Sequence, residues 1–270
     1  MKPKDEMETL KDRFRQEPLL CHEIENQTMD NLKTLTDYPA YFENTMGSTL
    51  SKLEAFPKHV SRQMMSKLLA RYEIFRRILN VHGSIVEVGV GAGNGTFSYA
   101  HFSSILEPYN YTREIIGFDT FEGFTEPTKN DLIGGRIEHM KKGAYHSVGY
   151  YENIMEGAKL FDANRPLGHM QKISLVKGPV KKTMKKYLEE RPELIVAYVG
   201  LDVGLEEATT PVLELLYDRI PKGGIVAFDT VGVRGFPGQN KGLFEFFSGF
   251  GSLRIERLPF EPARTFFVKE

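Results

Sequence analysis

Residues 87–95 read E-V-G-V-G-A-G-N-G, with a glycine at every second position from Gly89 onward, behind the acid Glu87. The residues at 85–90 are mostly apolar, and a helix-like stretch follows at 96–106. In doubly wound α/β proteins, a glycine-rich turn between the first strand and its helix lets the backbone approach a bound cofactor closely. We therefore expect residues 87–95 to form a cofactor loop.

Outward from this loop, short apolar runs alternate with helical stretches. Such alternation predicts an α/β fold, with a mostly parallel, doubly wound sheet covered by helices on both faces and a closing pair of strands at the C-terminus. The predicted strands are 85–90, 115–118, 173–176, 194–199, 225–228, 253–258 and 265–268, and the predicted helices are 61–79, 96–106, 209–219 and one from about 180.

The chain divides by composition. Residues 1–60 are polar with short apolar clusters, which indicates a helical and irregular N-terminal cap before a main domain at 61–270. In the helix that opens the main domain, the apolar spacing predicts that Arg71 lies away from the core face. The insert at 125–172 is longer than a compact connection needs, so we expect it to act as a lid. The lysines at 181–186 are predicted to form the solvated face of an amphipathic helix.

Charge and cysteine content restrict the class of partner. With 35 basic and 36 acidic residues, no overall positive charge would recruit nucleic acid or an anionic membrane, so we expect a small-molecule partner. No run of about 18 apolar residues is present, which argues against a membrane span. The single cysteine, Cys21, excludes an intramolecular disulfide and fits a reducing, cytoplasmic location.

The glycine spacing bears on the identity of the cofactor. A dinucleotide fingerprint, G-x-G-x-x-G, would need a third glycine where Asn94 or Thr96 stands. Asp119 ends the second predicted strand, 26 residues after Gly93, where a carboxylate can accept hydrogen bonds from both ribose hydroxyls. NAD enzymes also use an acid there, and a helix cap is a further alternative for Asp119.

Several motifs together carry a resemblance to a known family. E-V-G-V-G-A-G at 87–93 resembles the first motif of class I S-adenosylmethionine-dependent methyltransferases, which have a Rossmann-like fold. The motifs G-F-D-T-F-E-G-F at 117–124, D-V-G-L-E-E-A-T at 202–209, G-G-I-V-A-F-D at 223–229 and G-Q-N-K-G-L-F-E-F-F at 238–247 resemble the macrocin O-methyltransferase (TylF-like) family over about residues 60–250. Those enzymes methylate hydroxyls of sugars in antibiotics or nucleotide sugars.

The resemblance implies a role for individual residues. S-adenosylmethionine would be bound by the loop, with Glu87 organising it, and Asp119 would bind the ribose. Asp202 and Asp229 would lie near the acceptor, and the family's dimers or larger assemblies imply a homo-oligomer. The full set of expected cofactor-binding residues is Glu87, Gly89, Gly91, Gly93, Thr96, Asp119, Thr120, Phe121, Lys177, Gly178 and Asp202.

The sequence departs from the family pattern at the predicted catalytic centre. The relatives carry an Asp-x-Asp pair and an Asp-Asp pair, whereas this chain has Asp202-Val203-Gly204 and Asp229-Thr230. A Mg²⁺ site on Asp202 and Asp229 would therefore hold less charge than the family's site. The general base is missing as well, and His146, in the insert together with His139 and His169, is our candidate replacement.

Several functions remain open at this point. The first is methyl transfer to a hydroxyl of a sugar, nucleotide sugar or secondary metabolite, with Asp202, His146 and Asp229 as catalytic candidates. The second is N-methylation of an amino sugar or another small amine, since an amine depends less on a strong base. An inactive relative that serves as a scaffold and a nicotinamide oxidoreductase are further alternatives. A nucleic-acid methyltransferase is disfavoured, because the segment after the fourth strand offers no aromatic platform for a flipped base.

Overall fold

The computed structural model describes residues 3–15, 27–134 and 140–270, so Cys21 and His139 lie outside the described residues. The chain forms two compact units, residues 1–69 and 70–270. Within the described residues, no helix is long and apolar enough to cross a membrane.

The first unit is helical, as predicted. It contains α1 (Pro3–Arg15), α2 (Met29–Asn44), α3 (Thr49–Glu54), a 3-10 turn (Phe56–Lys58) and the start of α4 (Arg62–Arg77). The side chain of Thr28 caps α2 by accepting a hydrogen bond from the Asn31 N–H, which satisfies one of the donors left free at a helix start. A small core forms around Phe14 and Leu32. The predicted boundary near residue 60 stays a prediction.

The second unit is built on a seven-stranded sheet in the order β3-β2-β1-β4-β5-β7-β6. The first five strands of that order are parallel, whereas β7 is antiparallel to both β5 and β6. The predicted doubly wound sheet with an antiparallel closing strand is confirmed. The strands are β1 (Ser84–Val88), β2 (Ile115–Asp119), β3 (Ile173–Lys177), β4 (Val196–Leu201), β5 (Ile225–Phe228), β6 (Glu256–Leu258) and β7 (Glu261–Val268).

Helices bury both faces of this sheet. One core cluster joins the sheet to α8, α9 and α10, and the other joins it to α4, α5 and α7. The predicted lysine face of α8 is exposed, while Met184 and Leu188 are buried. The remaining helices are α5 (Asn94–Leu106), α6 (Lys129–Leu132), α7 (Tyr150–Ala163), α8 (Val180–Glu190), α9 (Glu206–Leu216) and α10 (Gly238–Phe246).

The strand order fixes where a ligand can bind. The chain runs from β1 to β2 and β3 on one side and returns to β4 and β5 on the other, so the order reverses between β1 and β4. In register, Val88 pairs with both Phe118 and Leu201, and Leu201 pairs with Phe228. The carboxyl ends of these four strands therefore meet at one edge, where such folds bind their ligands.

Candidate active site

The glycine loop follows β1 and has a backbone that requires glycine. Gly89, Gly91 and Gly93 have φ values of 90°, 55° and 85°, in the left-handed region that side chains disfavour. A Cβ atom at Gly89 would also lie 2.2 Å from the carbonyl oxygen of Asp202. The Gly89 N–H donates to the Phe118 carbonyl at 2.9 Å, so the loop is held between β2 and the end of β4.

Glu87 lies buried beneath this loop rather than at its surface. It is 3% exposed, and its carboxylate accepts a hydrogen bond from the Thr96 hydroxyl at 2.5 Å. Gly95 makes room for it, since a Cβ there would lie 1.6 Å from Glu87 Oε1. Burial, reinforced by the charge of Asp202, raises the pKa of Glu87 to about 7. The side chains of Glu87 and Thr96 thus organise the loop from below.

The raised pKa of Glu87 predicts a pH-dependent stability. Because the folded protein holds this proton more tightly than the unfolded chain, the carboxyl contributes stability at low pH that is lost as pH rises from about 4.5 to 7. The loss is about 3 kcal/mol at 1.36 kcal/mol per pKa unit. Denaturant unfolding of the wild type and Glu87→Gln across this range should show the wild type losing that amount relative to the variant. A difference between the two proteins that does not change with pH would contradict the assignment.

Asp119 lies at the end of β2, next to the glycine loop. Its carboxylate accepts hydrogen bonds from the N–H groups of Gly91 at 2.9 Å and Phe121 at 2.7 Å. Its own carbonyl accepts the N–H of Gly178 at 2.8 Å. Burial raises the pKa of Asp119, and the backbone donors act in the opposite direction. The segments that follow β1, β2 and β3 thus all hydrogen-bond to this one residue, the first two through its carboxylate and the third through its main-chain carbonyl.

The other predicted adenosine residues are positioned around Asp119. The Thr120 hydroxyl donates to the Gly123 carbonyl at 2.7 Å, which closes a tight turn. The Phe121 side chain is buried against Val90 and Ile154, and Lys177 is exposed. The backbone of Phe121, rather than its ring, therefore borders Asp119.

Asp202 follows β4 and is held by two arginines. Arg264 Nη2 lies 2.7 Å from Asp202 Oδ2, and Arg71 Nη2 lies 4.0 Å from the same oxygen. The prediction that Arg71 lies away from the core was wrong, since this residue is 6% exposed. Helical periodicity alone treats arginine as a surface residue, whereas here the Asp202 carboxylate compensates its buried charge.

The residues around Asp202 and Asp229 do not fit an octahedral magnesium site. Arg264 occupies Asp202 Oδ2, and Gly204 provides no ligand. The Thr230 hydroxyl donates at 2.7 Å to the Gln239 amide oxygen. Among the residues that the structure describes, no group of three or more His, Cys, Asp or Glu side chains could hold a metal ion. Of the two aspartates predicted to bind the metal, Asp202 is thus paired with an arginine, and the neighbouring positions 204 and 230 supply no further carboxylate.

An aromatic cluster, which no local sequence pattern predicts, borders the position of the missing carboxylate. A Cβ at Gly204 would lie 3.5 Å from Phe236 and 3.8 Å from both Phe124 and Thr230. Phe124 also contacts Tyr145, with ring centroids 4.8 Å apart. Phe124 immediately precedes the insert, Tyr145 belongs to it and Phe236 lies just before α10, so only the tertiary fold brings these rings to the end of β4.

The insert at 125–172 is partly a core element. Ala158 and Phe161 of α7 are buried in the core beside the sheet, so α7 is the crossover helix between β2 and β3. The start of the insert is docked on α9, because the buried Asp131 accepts the Glu206 N–H at 2.9 Å and Asn130 donates to the Glu206 carboxylate at 2.8 Å. Because both of these parts are anchored, the predicted lid would consist only of residues between α6 and α7.

The two described histidines of the insert are exposed to solvent, whereas a general base would have to lie beside the acceptor. His146 is exposed, and so is His169, which lies beyond α7. Neither is brought to Asp202 or Asp229 by a contact that the described residues show. His146 therefore stays a prediction without structural support.

The chain is similar to known methyltransferases in sequence and in fold. A profile of the macrocin O-methyltransferase (TylF) family matches residues 54–239. The chain is similar to calicheamicin methyltransferase CalS11, with 30% identity and a TM-score of 0.85 over 90% of this chain and 93% of that one. An apo structure of CalS11, a TDP-rhamnose 3′-O-methyltransferase of calicheamicin biosynthesis, gives 28% identity and a TM-score of 0.77 over 90% and 95%.

More distant similarity concerns the fold alone. The O-methyltransferase NovP is 18% identical, with a TM-score of 0.56 over 76% of this chain and 79% of that one. A search of curated protein sequences finds no significant match.

The family profile extends from the end of α3 into α10 and so includes the glycine loop, Asp119, Asp202 and Asp229. The similarity to CalS11 extends over almost the whole of both chains. The chain therefore belongs to the macrocin O-methyltransferase family and is an S-adenosylmethionine-dependent methyltransferase.

Proposed function

We propose that this enzyme methylates a hydroxyl group of a small acceptor, namely a sugar, a nucleotide sugar or a secondary metabolite. The observation that carries the proposal is the similarity to CalS11 over 90% of this chain, since CalS11 is a TDP-rhamnose 3′-O-methyltransferase. The half-buried aromatic ring of Phe124 beside Gly204 supports it, because sugar rings present apolar faces that pack on aromatic side chains.

We assign the cofactor to the edge formed by β1, β2 and β3. The loop of Gly89, Gly91 and Gly93 would hold its methionine part, and the Asp119 carboxylate has further lone pairs to accept the ribose hydroxyls. When bound, S-adenosylmethionine supplies the methyl group. The adenosine would lie beside the backbone of Thr120 and Phe121 and the turn at Lys177 and Gly178.

We assign the general base to Asp229. A hydroxyl acceptor must lose its proton as it attacks, and Gly204 removes the carboxylate that resembles the family's base. Asp202 is paired with Arg264, whereas Asp229 follows β5 directly and its neighbour Thr230 borders the Gly204 cluster. The missing carboxylates favour N-methylation of a small amine as the second candidate reaction, because an amine needs less help from a base.

The assignment is tested with labelled S-adenosylmethionine and a panel of TDP-sugars carrying either free hydroxyls or amines. With the accepted sugar, Asp229→Asn should lower kcat about 100-fold or more, the range lost with a general base. S-adenosylhomocysteine affinity should be unchanged, and the control His146→Gln should keep its rate. A fully active Asp229→Asn variant would contradict the role of Asp229. Cofactor binding without turnover on the whole panel would favour the inactive scaffold.

We also propose a cytoplasmic homo-oligomer that binds neither nucleic acid nor membrane. The single cysteine fits a reducing compartment, and the balanced charge offers no attraction for polyanions. In the first unit, the apolar side chains of Met46, Leu50 and Leu53 are 92%, 69% and 60% exposed, which supports self-association through this segment.

A further inference from the structure

We propose that this enzyme transfers its methyl group without a divalent cation, because Arg264, assisted by Arg71, gives Asp202 the positive partner that a metal ion would provide. Arg264 is thus a positioning residue that acts through Asp202. The inference rests on the proposed function only in placing the acceptor near Asp202. Its test does not require the acceptor.

The position of Arg264 follows from the closing strand. Thr265 of β7 pairs with Phe228 of β5, which puts Arg264 at the level of Asp229, at the carboxyl edge of the parallel strands. Its side chain is 10% exposed and extends across β5 to Asp202. Because β7 is antiparallel to β5, the start of β7 lies at the same edge of the sheet as the carboxyl ends of the parallel strands. The Arg264 guanidinium therefore lies at the edge where the acidic residues follow the other strands.

Arg264 is held by more than its carboxylate partner. Its Nη1 lies 3.5 Å from the Tyr198 hydroxyl, which accepts a hydrogen bond from the buried Tyr99 hydroxyl at 2.7 Å. Gly200 makes room for this pair, since a Cβ there would lie 2.7 Å from the Tyr198 hydroxyl. The guanidinium therefore belongs to a packed polar network and cannot leave Asp202 without disrupting it.

The side chains around Asp202 already carry excess positive charge without a metal ion. The guanidinium groups of Arg71 and Arg264 both face the Asp202 carboxylate. Because burial raises the pKa of the neighbouring Glu87 to about 7, that carboxyl offsets their charge only in part at neutral pH. A divalent cation at either oxygen of the Asp202 carboxylate would be repelled by both arginines, and at Oδ2 it would also have to displace Arg264. The absence of a side chain at Gly204 removes the carboxylate that would offset this repulsion.

Asp202 is also a structural support of the cofactor loop. Its N–H donates to the Val88 carbonyl at 2.8 Å, and its own carbonyl is the atom in contact with Gly89. By fixing the Asp202 side chain, Arg264 fixes the residue against which the loop packs. The arginine replaces the orienting effect of a metal ion as well as its charge.

The test is a titration of the full-length protein, saturated with S-adenosylhomocysteine, with Mn²⁺ followed by electron paramagnetic resonance. We expect no site tighter than millimolar that depends on Asp202. Stoichiometric micromolar binding that is lost in Asp202→Asn would overturn the proposal. Binding that persists in Asp202→Asn lies elsewhere on the chain and is compatible with it.

A rebuilt site tests the role of the arginine itself. Gly204→Asp restores the Asp-x-Asp pair at φ 63°, a conformation that aspartate tolerates better than most residues, and its Cβ would have no neighbour closer than 3.5 Å. Combining it with Arg264→Gln should increase Mn²⁺ affinity at least tenfold over Gly204→Asp alone. Equal affinity of the two variants would show that Arg264 does not exclude the metal and would overturn the proposal. Retained S-adenosylhomocysteine binding serves as the check that each variant folds.

Discussion

Replacing Gly89 with alanine should abolish binding of S-adenosylhomocysteine and lower the free energy of unfolding by about 2 to 5 kcal/mol. The reason is twofold. At φ 90° an alanine is strained, and its Cβ would overlap the Asp202 carbonyl oxygen at 2.2 Å. The carbonyl oxygen belongs to the backbone and the position of a Cβ is fixed by it, so neither atom can move aside without displacing the end of β4 or the loop. Calorimetric titration and denaturant unfolding measure the two effects.

Gly149→Ala is the matched control for this prediction. Gly149 has nearly the same conformation, with φ 84°, but a Cβ there would have no neighbour within 4 Å. This variant should lose only the backbone term, about 1 to 2 kcal/mol, and keep its affinity for S-adenosylhomocysteine. If Gly89→Ala bound the ligand as well as Gly149→Ala does, the close packing of the loop on Asp202 would not matter for cofactor binding.

Asp119→Asn should weaken binding of S-adenosylhomocysteine about 100-fold. Hydrogen bonds to a charged acceptor contribute about 1.5 to 3 kcal/mol each, and the substitution removes the charge that two ribose hydroxyls would share. An amide would also turn a donor towards the N–H of Gly91 or Phe121, which the carboxylate now accepts. Calorimetry gives the dissociation constants.

The control for Asp119 uses the ligand as well as the protein. An S-adenosylhomocysteine analogue lacking the ribose 2′-hydroxyl should lose less affinity on the same substitution, because one partner of the carboxylate is already absent. Asp218→Asn, at an exposed aspartate in the 3-10 turn Tyr217–Arg219, should leave the affinity unchanged. Equal losses for both ligands would argue that Asp119 only shapes the loop.

Local sequence pattern was sufficient to predict the sheet and the glycine loop that follows its first strand. The strand at 225–228 was predicted at its observed bounds, and the helix at 96–106 within two residues of its observed start. The fourth strand was displaced, because the apolar Leu194 precedes it as a buried loop residue and Gly200 gave no strand signal. This strand position is occupied by glycine because a Cβ atom there would overlap the Tyr198 side chain.

The acceptor side of the site could not be predicted in the same way. Arg264 reaches Asp202 from a strand 62 residues later in the chain, and Phe124 and Phe236 meet at Gly204 from opposite sides of it in sequence. These contacts depend on the order of the strands in the sheet and on the length of the side chains. Neither produces a periodic pattern in the local sequence. The loss of two aspartates was visible in the sequence, whereas the role of Arg264 in place of a metal ion was not.

The most direct test of the account is a calorimetric titration of the wild-type protein with S-adenosylhomocysteine and, in parallel, with NAD. We expect one molecule of S-adenosylhomocysteine to bind per chain with micromolar affinity, in the presence of magnesium or chelator alike, and NAD not to bind. Binding of NAD as tight as that of S-adenosylhomocysteine, or no binding of the latter, would contradict the assignment of the glycine loop and Asp119 to S-adenosylmethionine.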